Sequence, residues 1–228
     1  MNGGRLQGKV AIITGASTGL GPVMASVFVQ QGAQVLLAAR REQLVQEAAA
    51  NAGGGAIGMR ADVTDEDDVV AMVARAVDEF GHVDVMCNNA AAPGQDRWIW
   101  EQTLQNWNET IAIDVTAAML CTREVLKQSM LERRSGVILN FSSTAAFNGM
   151  IRKSHYVNVK GLPAGVHQGG GARSGGIRDP LQLHCAGQHR HGTLARLGKA
   201  HRRRAERRLR GSAGAAAPRG GAARHLFM

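Results

Sequence analysis

The chain has 228 residues, enough for one α/β domain with a sizeable core, and a formal net charge of +9. No run reaches the ~18 apolar residues of a membrane span, and Met1 to Lys9 lacks the apolar stretch of a secretory leader. Cys87, Cys121 and Cys185 form no CxxC pair, so neither a disulfide framework nor a zinc site is indicated, and a reducing, cytoplasmic setting is expected.

Residues 9–14 (KVAIIT) are a short apolar run leading into a glycine-rich turn, which reads as a buried strand. Residues 20–31 follow at helical spacing and stop at Gly32. Residues 34–39 (QVLLAA) form a second buried strand, and 41–52 a helix ending at Gly53-Gly54-Gly55. Residues 56–61 are a third strand. Thr64 is placed to cap a helix from Asp65 to Phe80, whose first turn is acidic as the helix dipole favours. A fourth strand spans 83–87 and ends at Asn88-Asn89. Helices follow over 101–133, with a break near Thr110–Asp114. A fifth strand, 136–141 (GVILNF), runs into Ser142-Ser143. Strands alternating with helices predict βαβ units and a parallel sheet covered on both faces. Ligands of such sheets bind at the carboxyl ends of the strands.

Beyond residue 160 the composition changes. Residues 1–160 carry 14 Lys and Arg against 16 Asp and Glu, whereas 161–228 carry 13 against 2. That second segment also holds 14 of the 29 glycines and only 10 Leu, Ile, Val or Phe. So little apolar content rarely offsets the entropy of ordering, so a basic, disordered tail is expected. Cys185, His189 and His191 lack a suitably spaced fourth ligand, so no metal is expected there. Arg202–Arg210 would attract nucleic acid through charge alone, in a salt-sensitive and non-specific way.

Several motifs fall at strand ends. The loop Gly15-x-x-x-Gly19-x-Gly21 joins a strand to a helix, and its glycines would admit a pyrophosphate close to the helix N-terminus. Alone, it is also a small-residue turn. Ala39 stands where an NAD site usually has an acidic residue, and Arg40 follows it. A guanidinium suits a 2′-phosphate, which points to NADP. Asp62-Val63 would place a carboxylate near an adenine amino group, although read alone Asp62 is a helix cap. Asn88-Asn89-Ala90 would brace the turn against the central sheet. Tyr156 and Lys160 lie one helical turn apart, 13 residues after Ser143. In that arrangement Tyr156 would exchange a proton with a substrate oxygen, Lys160 would support it by charge, and Ser143 would hold the carbonyl, although read alone YxxxK is a surface pair on a helix and Ser143 a helix cap.

Taken together, TGASTGLG, DV at 62–63, NNA at 88–90, Ser143 and YxxxK at 156–160 resemble the short-chain dehydrogenase/reductase family over about residues 6–160. The resemblance implies a Rossmann-type, doubly wound parallel sheet. It implies hydride transfer between NADP(H) and a carbonyl/alcohol pair, of 3-oxoacyl-reductase type. Carried over residue by residue, the cofactor would meet Gly15, Ser17, Thr18, Gly19, Leu20 and Gly21 of the loop. It would also meet Arg40, Asp62, Val63, Asn89, Ala90, Tyr156 and Lys160, the last at the nicotinamide ribose. The catalytic set would be Ser143, Tyr156, Lys160 and Asp114. An intact protein of this kind is expected to be a homo-oligomer acting on a small molecule, without membrane or specific nucleic acid.

Three features depart from the family pattern. Asp114 stands where the family has Asn, which adds a charge, and Ala91 replaces the glycine of NNAG. The third is the tail, where the family's later strands and substrate-covering loop are not visible. Back-translated and read one base later, with one permitted choice of codons, residues 166–192 give FTKAVALEVAAYAIRCNCIAPGNIDTG, the kind of stretch the family has here. A shift of reading frame between about Lys160 and Val166 would explain the change in composition, and sequencing codons 156–170 tests it. The C-terminal strands are therefore expected to be missing or scrambled. Residues 1–160 would form the cofactor-binding and catalytic domain, possessing or having lost activity. The alternative is a non-catalytic Rossmann fragment whose basic tail, 161–228, binds nucleic acid or a partner.

Overall fold

The computed structural model describes residues 4–161 and the backbone of 181–186. Five strands, β1 (Val10–Thr14), β2 (Gln34–Ala39), β3 (Ala56–Arg60), β4 (Val85–Asn88) and β5 (Gly136–Phe141), alternate with helices as the apolar runs predict. The helices between the first four are α1 (Leu20–Gln30), α2 (Glu42–Ala52) and α3 (Glu66–Phe80). With β6 (Leu181–Ala186) at one edge, the strands lie in the order β3-β2-β1-β4-β5-β6. All five pairings are parallel. The order reverses between β1 and β4, and a doubly wound Rossmann-type sheet opens its ligand crevice at that point.

The pleat assigns side chains to the two faces. Ile12 and Leu36 point to one face and join a cluster with Val69, Met72 and Val73 of α3. Ala11, Ile13, Val35 and Leu37 point to the other, against Ala25 of α1 and Val45 and Ala48 of α2. Both clusters are almost fully buried, and at ~25 cal/mol per Å2 of apolar area they are the main favourable contribution to this fold.

Three local features differ from expectation. Thr64 does not cap α3; Asp65 does, its carboxylate accepting from the amides of Asp67 and Asp68. Thr64 instead gives its amide and hydroxyl to Asp62, a short-range turn that competes for the same side chain. The break near Thr110–Asp114 is not an interruption. After α4 (Leu104–Ile111) the backbone widens into a π-turn at Ala112–Thr116 and continues as α5 (Ala117–Val125). A second π-turn, Leu126–Met130, leads into the short α6 (Leu131–Arg133). The sixth strand also goes beyond expectation: Leu181–Ala186 runs parallel to β5, with Gly136 opposite Leu181 and Phe141 opposite Ala186. An edge strand needs open backbone donors and acceptors on its neighbour, which composition does not register. The rest of 162–228 lies outside the described residues. So do the expectations of a disordered tail, a Cys/His set and an arginine-rich patch. Among the described residues no helix is long and apolar enough to cross a membrane.

Asp84 ties the amino ends of the strands together. It is buried, accepts from the Val10 amide at 3.0 Å, and meets Arg133 at 3.0 Å, His82 at 2.9 Å and Lys9 at 3.5 Å. Burial disfavours its charge, but the Val10 amide, Arg133, His82 and Lys9 outweigh it and hold the carboxyl below its ordinary value. A carboxyl depressed in the folded state stabilises above its unfolded value, near 4. That contribution is lost as pH falls through the folded value. Asp84→Asn is therefore expected to cost about 2 kcal/mol in urea unfolding at pH 7. The gap should shrink as pH falls below about 4, because the wild type then starts to lose the same interaction.

Candidate active site

The first part of the site grows from the β1–α1 turn. Gly15 has φ +63°, and a Cβ there would sit 2.7 Å from the Ala90 backbone, so only glycine lets the two turns approach. A Cβ on Gly21 would sit 2.7 Å from Ala16 Cα, which makes this glycine the seat of the helix on its strand. Gly19, with φ +69°, opens α1 and has free space around it. The chain at Gly19 is thus left uncrowded where α1 begins.

Asn89 braces that turn as expected. Its side chain donates to the carbonyls of Thr14 and Gly15, at 2.8 and 3.3 Å. Thr14 completes the brace: its hydroxyl accepts from the amides of Asn89 and Ala90, both at 3.1 Å. Asn88 works on the other side, donating to Asn140 of β5 at 2.8 Å and to Thr122 of α5 at 3.2 Å. The role of Thr14 is not visible in the glycine pattern; a hydroxyl as the last strand residue before the loop is its only sign.

A cavity of about 650 Å3 lies above these strand ends. Gly15, Ser17, Thr18 and Leu20 line it from the loop. Arg40, Asp62, Val63, Asn89 and Ala90 line it from β2, β3 and β4. The structure therefore brings together nine of the eleven loop and strand-end residues predicted to meet a cofactor. Gly19 and Gly21 shape the turn without lining it. Arg41, which the sequence presents only as the start of a helix, also faces the cavity and donates to the hydroxyls of Ser17 and Thr18, both at 3.0 Å. Two guanidinium groups and two hydroxyls thus gather at the end of β2. For Asp62, burial opposes the charge, while the Thr64 amide and hydroxyl, Arg40 and Arg60 outweigh it and hold the carboxyl below its ordinary range. A glycine cradle, an open cavity and this cationic end fit a nicotinamide dinucleotide.

The second part is built on α7 (Ala145–Asn148) and α8 (Ser154–Gly161). Lys160 Nζ lies 5.7 Å from the centre of the Tyr156 ring, donates to the Phe141 carbonyl at 3.2 Å and contacts Asp114 Oδ1 at 2.6 Å. The contact with Asp114 is one of charge, because Oδ1 has no aligned hydrogen bond. Asp114 Oδ2 accepts from the Ala92 amide at 2.8 Å. Both charged groups are buried. Ser142 donates to the Lys160 carbonyl at 2.6 Å, which fastens α8 to the end of β5. Ser143 Oγ accepts from the Ala145 amide at 3.2 Å, a cap-like bond that leaves its proton free to donate. Tyr156, Lys160 and Asp114 are thus brought together, with Ser143 at the adjoining strand end. None of the four lines the cavity described above, but Ile113, next to Asp114, does.

Beside Tyr156, His155 is fully buried. Gln102 Nε2 lies 2.7 Å from its Nδ1, and Pro93 O lies 2.9 Å from its Nε2. An amide N–H must donate and a carbonyl must accept, so this histidine carries its proton on Nε2. Asn106 donates to Gln102 Oε1 at 2.7 Å and accepts from the Gln95 amide at 2.8 Å. Arg97 N also donates to Arg152 O at 2.9 Å. The segment after β4 is thereby tied to the helix that carries Tyr156. Among the described residues no group of His, Cys, Asp and Glu is placed to hold a metal.

Comparison with known proteins agrees with this architecture. The short chain dehydrogenase family matches residues 9–168. The 3-oxoacyl-[acyl-carrier-protein] reductase of Synechocystis is 33% identical over 166 residues, which is 71% of this chain and 65% of that protein. A crystal structure of actinorhodin polyketide ketoreductase with NADPH aligns with TM-score 0.73 at 30% identity, covering 78% of this chain and 68% of the other. A 3-ketoacyl-(acyl-carrier-protein) reductase from Brucella melitensis complexed with NADH aligns with TM-score 0.69 at 32% identity, covering 72% and 68%. The chain spans 61–65% of the length of the curated relatives it matches.

Proposed function

The chain belongs to the short-chain dehydrogenase family, and from that premise we propose that it transfers a hydride between NADP(H) and a carbonyl or alcohol substrate of 3-oxoacyl-reductase type. The observation that carries this reading is the pairing of two parts on one sheet: a glycine cradle at β1 and a Tyr156–Lys160 pair 5.7 Å apart beyond β5. The bound nicotinamide would supply or accept the hydride, which is chemistry no side chain here provides. The chain's own residues do the rest. Gly15, Gly19 and the start of α1 would hold the pyrophosphate, with Ser17, Thr18 and Leu20 beside it and Asp62 and Val63 toward the base. Asn89 and Ala90 keep the β4 turn against the cradle. Ser143 would donate its free proton to the substrate oxygen and fix the carbonyl. Tyr156 would deliver a proton to that oxygen in reduction and take it back in oxidation, while the Lys160 ammonium favours the phenolate left behind.

One solved relative holds NADPH and another NADH, so the choice of NADP(H) rests on this chain's own Arg40 and Arg41. The substrate class rests on the 3-oxoacyl reductase relatives. Purified full-length chain should consume NADPH in the presence of a panel that includes 3-oxoacyl thioesters and simple ketones. Absence of NADPH binding in a fluorescence titration would overturn the proposal.

A further inference from the structure

Building on the oxidoreductase reading, we propose that Asp114 is a positioning residue that holds Lys160 in a charge-neutral buried pair and thereby sets the pH range in which Tyr156 works. The observation is the 2.6 Å contact between Asp114 Oδ1 and Lys160 Nζ, with both groups buried. The π-turn at Ala112–Thr116 carries the carboxylate, and the Ala92 amide holds its other oxygen at 2.8 Å. A neutral amide at this position would leave the ammonium as the dominant charge felt by Tyr156. The carboxylate cancels much of it at close range, in a setting where solvent screens little.

The other ionisable groups around α8 do not take this role. On α8 itself, both nitrogens of the His155 ring are engaged by Gln102 and Pro93. Lys153, at the entrance to α8, pairs with Asp96 of the segment after β4. Glu109 of α4 accepts from Gln105 on the exposed side of its helix. Neither α7 nor β5 contributes a charged residue. Asp114 is thus the acidic group in contact with Lys160 among the described residues.

Two readings of Asp114→Asn test the proposal. The amide keeps an acceptor for the Ala92 N–H and removes the charge. The pH at which alcohol oxidation reaches half its plateau in kcat/KM should fall by about one unit. An unchanged profile with a uniformly lower rate would show a merely structural residue and overturn the proposal. Melting curves without cofactor probe the pair itself. The variant leaves a buried ammonium without its counter-charge, so its deficit in melting temperature should be larger at pH 7 than at pH 9.5, which is nearer the ordinary range of a lysine. A deficit equal at both pH values overturns the proposal. A pH-dependent deficit in a protein that turns over no alcohol means instead that the oxidoreductase reading is wrong and the pair is real. Asp114→Ser, which also keeps an acceptor, serves for both measurements where the asparagine variant does not fold.

Discussion

Replacing Tyr156 by phenylalanine is expected to lower kcat by roughly 10^3-fold while leaving NADPH affinity within about twofold. The loss follows from the task given to the hydroxyl. A carbonyl oxygen that receives a hydride becomes an alkoxide, and water is a poor acid for it at neutral pH. A phenol held beside an ammonium is a better one, and positioned proton donors of this kind are worth about 10^2- to 10^4-fold. The ring itself is retained in phenylalanine, so the 5.7 Å contact with Lys160 and the packing of α8 should survive. Steady-state kinetics beside a fluorescence titration of NADPH separates the two effects. A variant that keeps more than a tenth of wild-type kcat would show that the proton comes from elsewhere. One that loses NADPH binding as well would show that the hydroxyl also helps to hold the cofactor.

The second large effect is expected at the end of β2. Replacing Arg40 and Arg41 together by serine should lower the NADPH-to-NADH preference in kcat/KM by roughly 10^2- to 10^3-fold, most of it through KM for NADPH. Each guanidinium offers a charge-assisted bond to a phosphate, worth about 1.5–3 kcal/mol, and the two cofactors differ by that phosphate alone. Arg41 Nη2 already bridges the Ser17 and Thr18 hydroxyls at 3.0 Å, so the guanidinium stands in the cradle on partners that a phosphate would replace. Arg40 is exposed and lines the same cavity. NADH kinetics act as the internal control, since a distorted cradle would damage both cofactors equally. An unchanged ratio would mean that the two arginines are a solvated helix start and that the preference lies elsewhere.

Much of this architecture is legible in the chain. The runs VAIIT and QVLLAA are buried on both sides, which is why they read as continuous apolar strands rather than alternating ones. Gly15, Gly21 and Asn89 announce their turn because each residue type is chosen by local backbone geometry. Contacts between distant segments are not legible in this way. Lys160 and Asp114 are far apart in sequence, and nothing in YxxxK says which carboxylate the lysine meets. The π-turn that carries Asp114 leaves no residue signature, since one extra residue in a turn is a matter of how the helix packs. Asp65 and Thr64 are both good caps, and only the competing bond from Thr64 to Asp62 decides between them. Arg41 hides behind Arg40 because adjacent arginines look alike until the loop they reach is placed.

The bonds that join Gln102, His155 and Pro93 bear on how such a scaffold could be remodelled. A graft that gives residues 93–97 another backbone path, as one would make to redirect selectivity, displaces the carbonyl that His155 holds and the amide that Asn106 holds. The graft would then disturb the helix that presents the reacting phenol, even if every new side chain fitted its ligand. Gln102, Asn106 and His155 are best regarded as part of the transplanted unit, so the smallest interchangeable module of this fold is discontinuous in sequence.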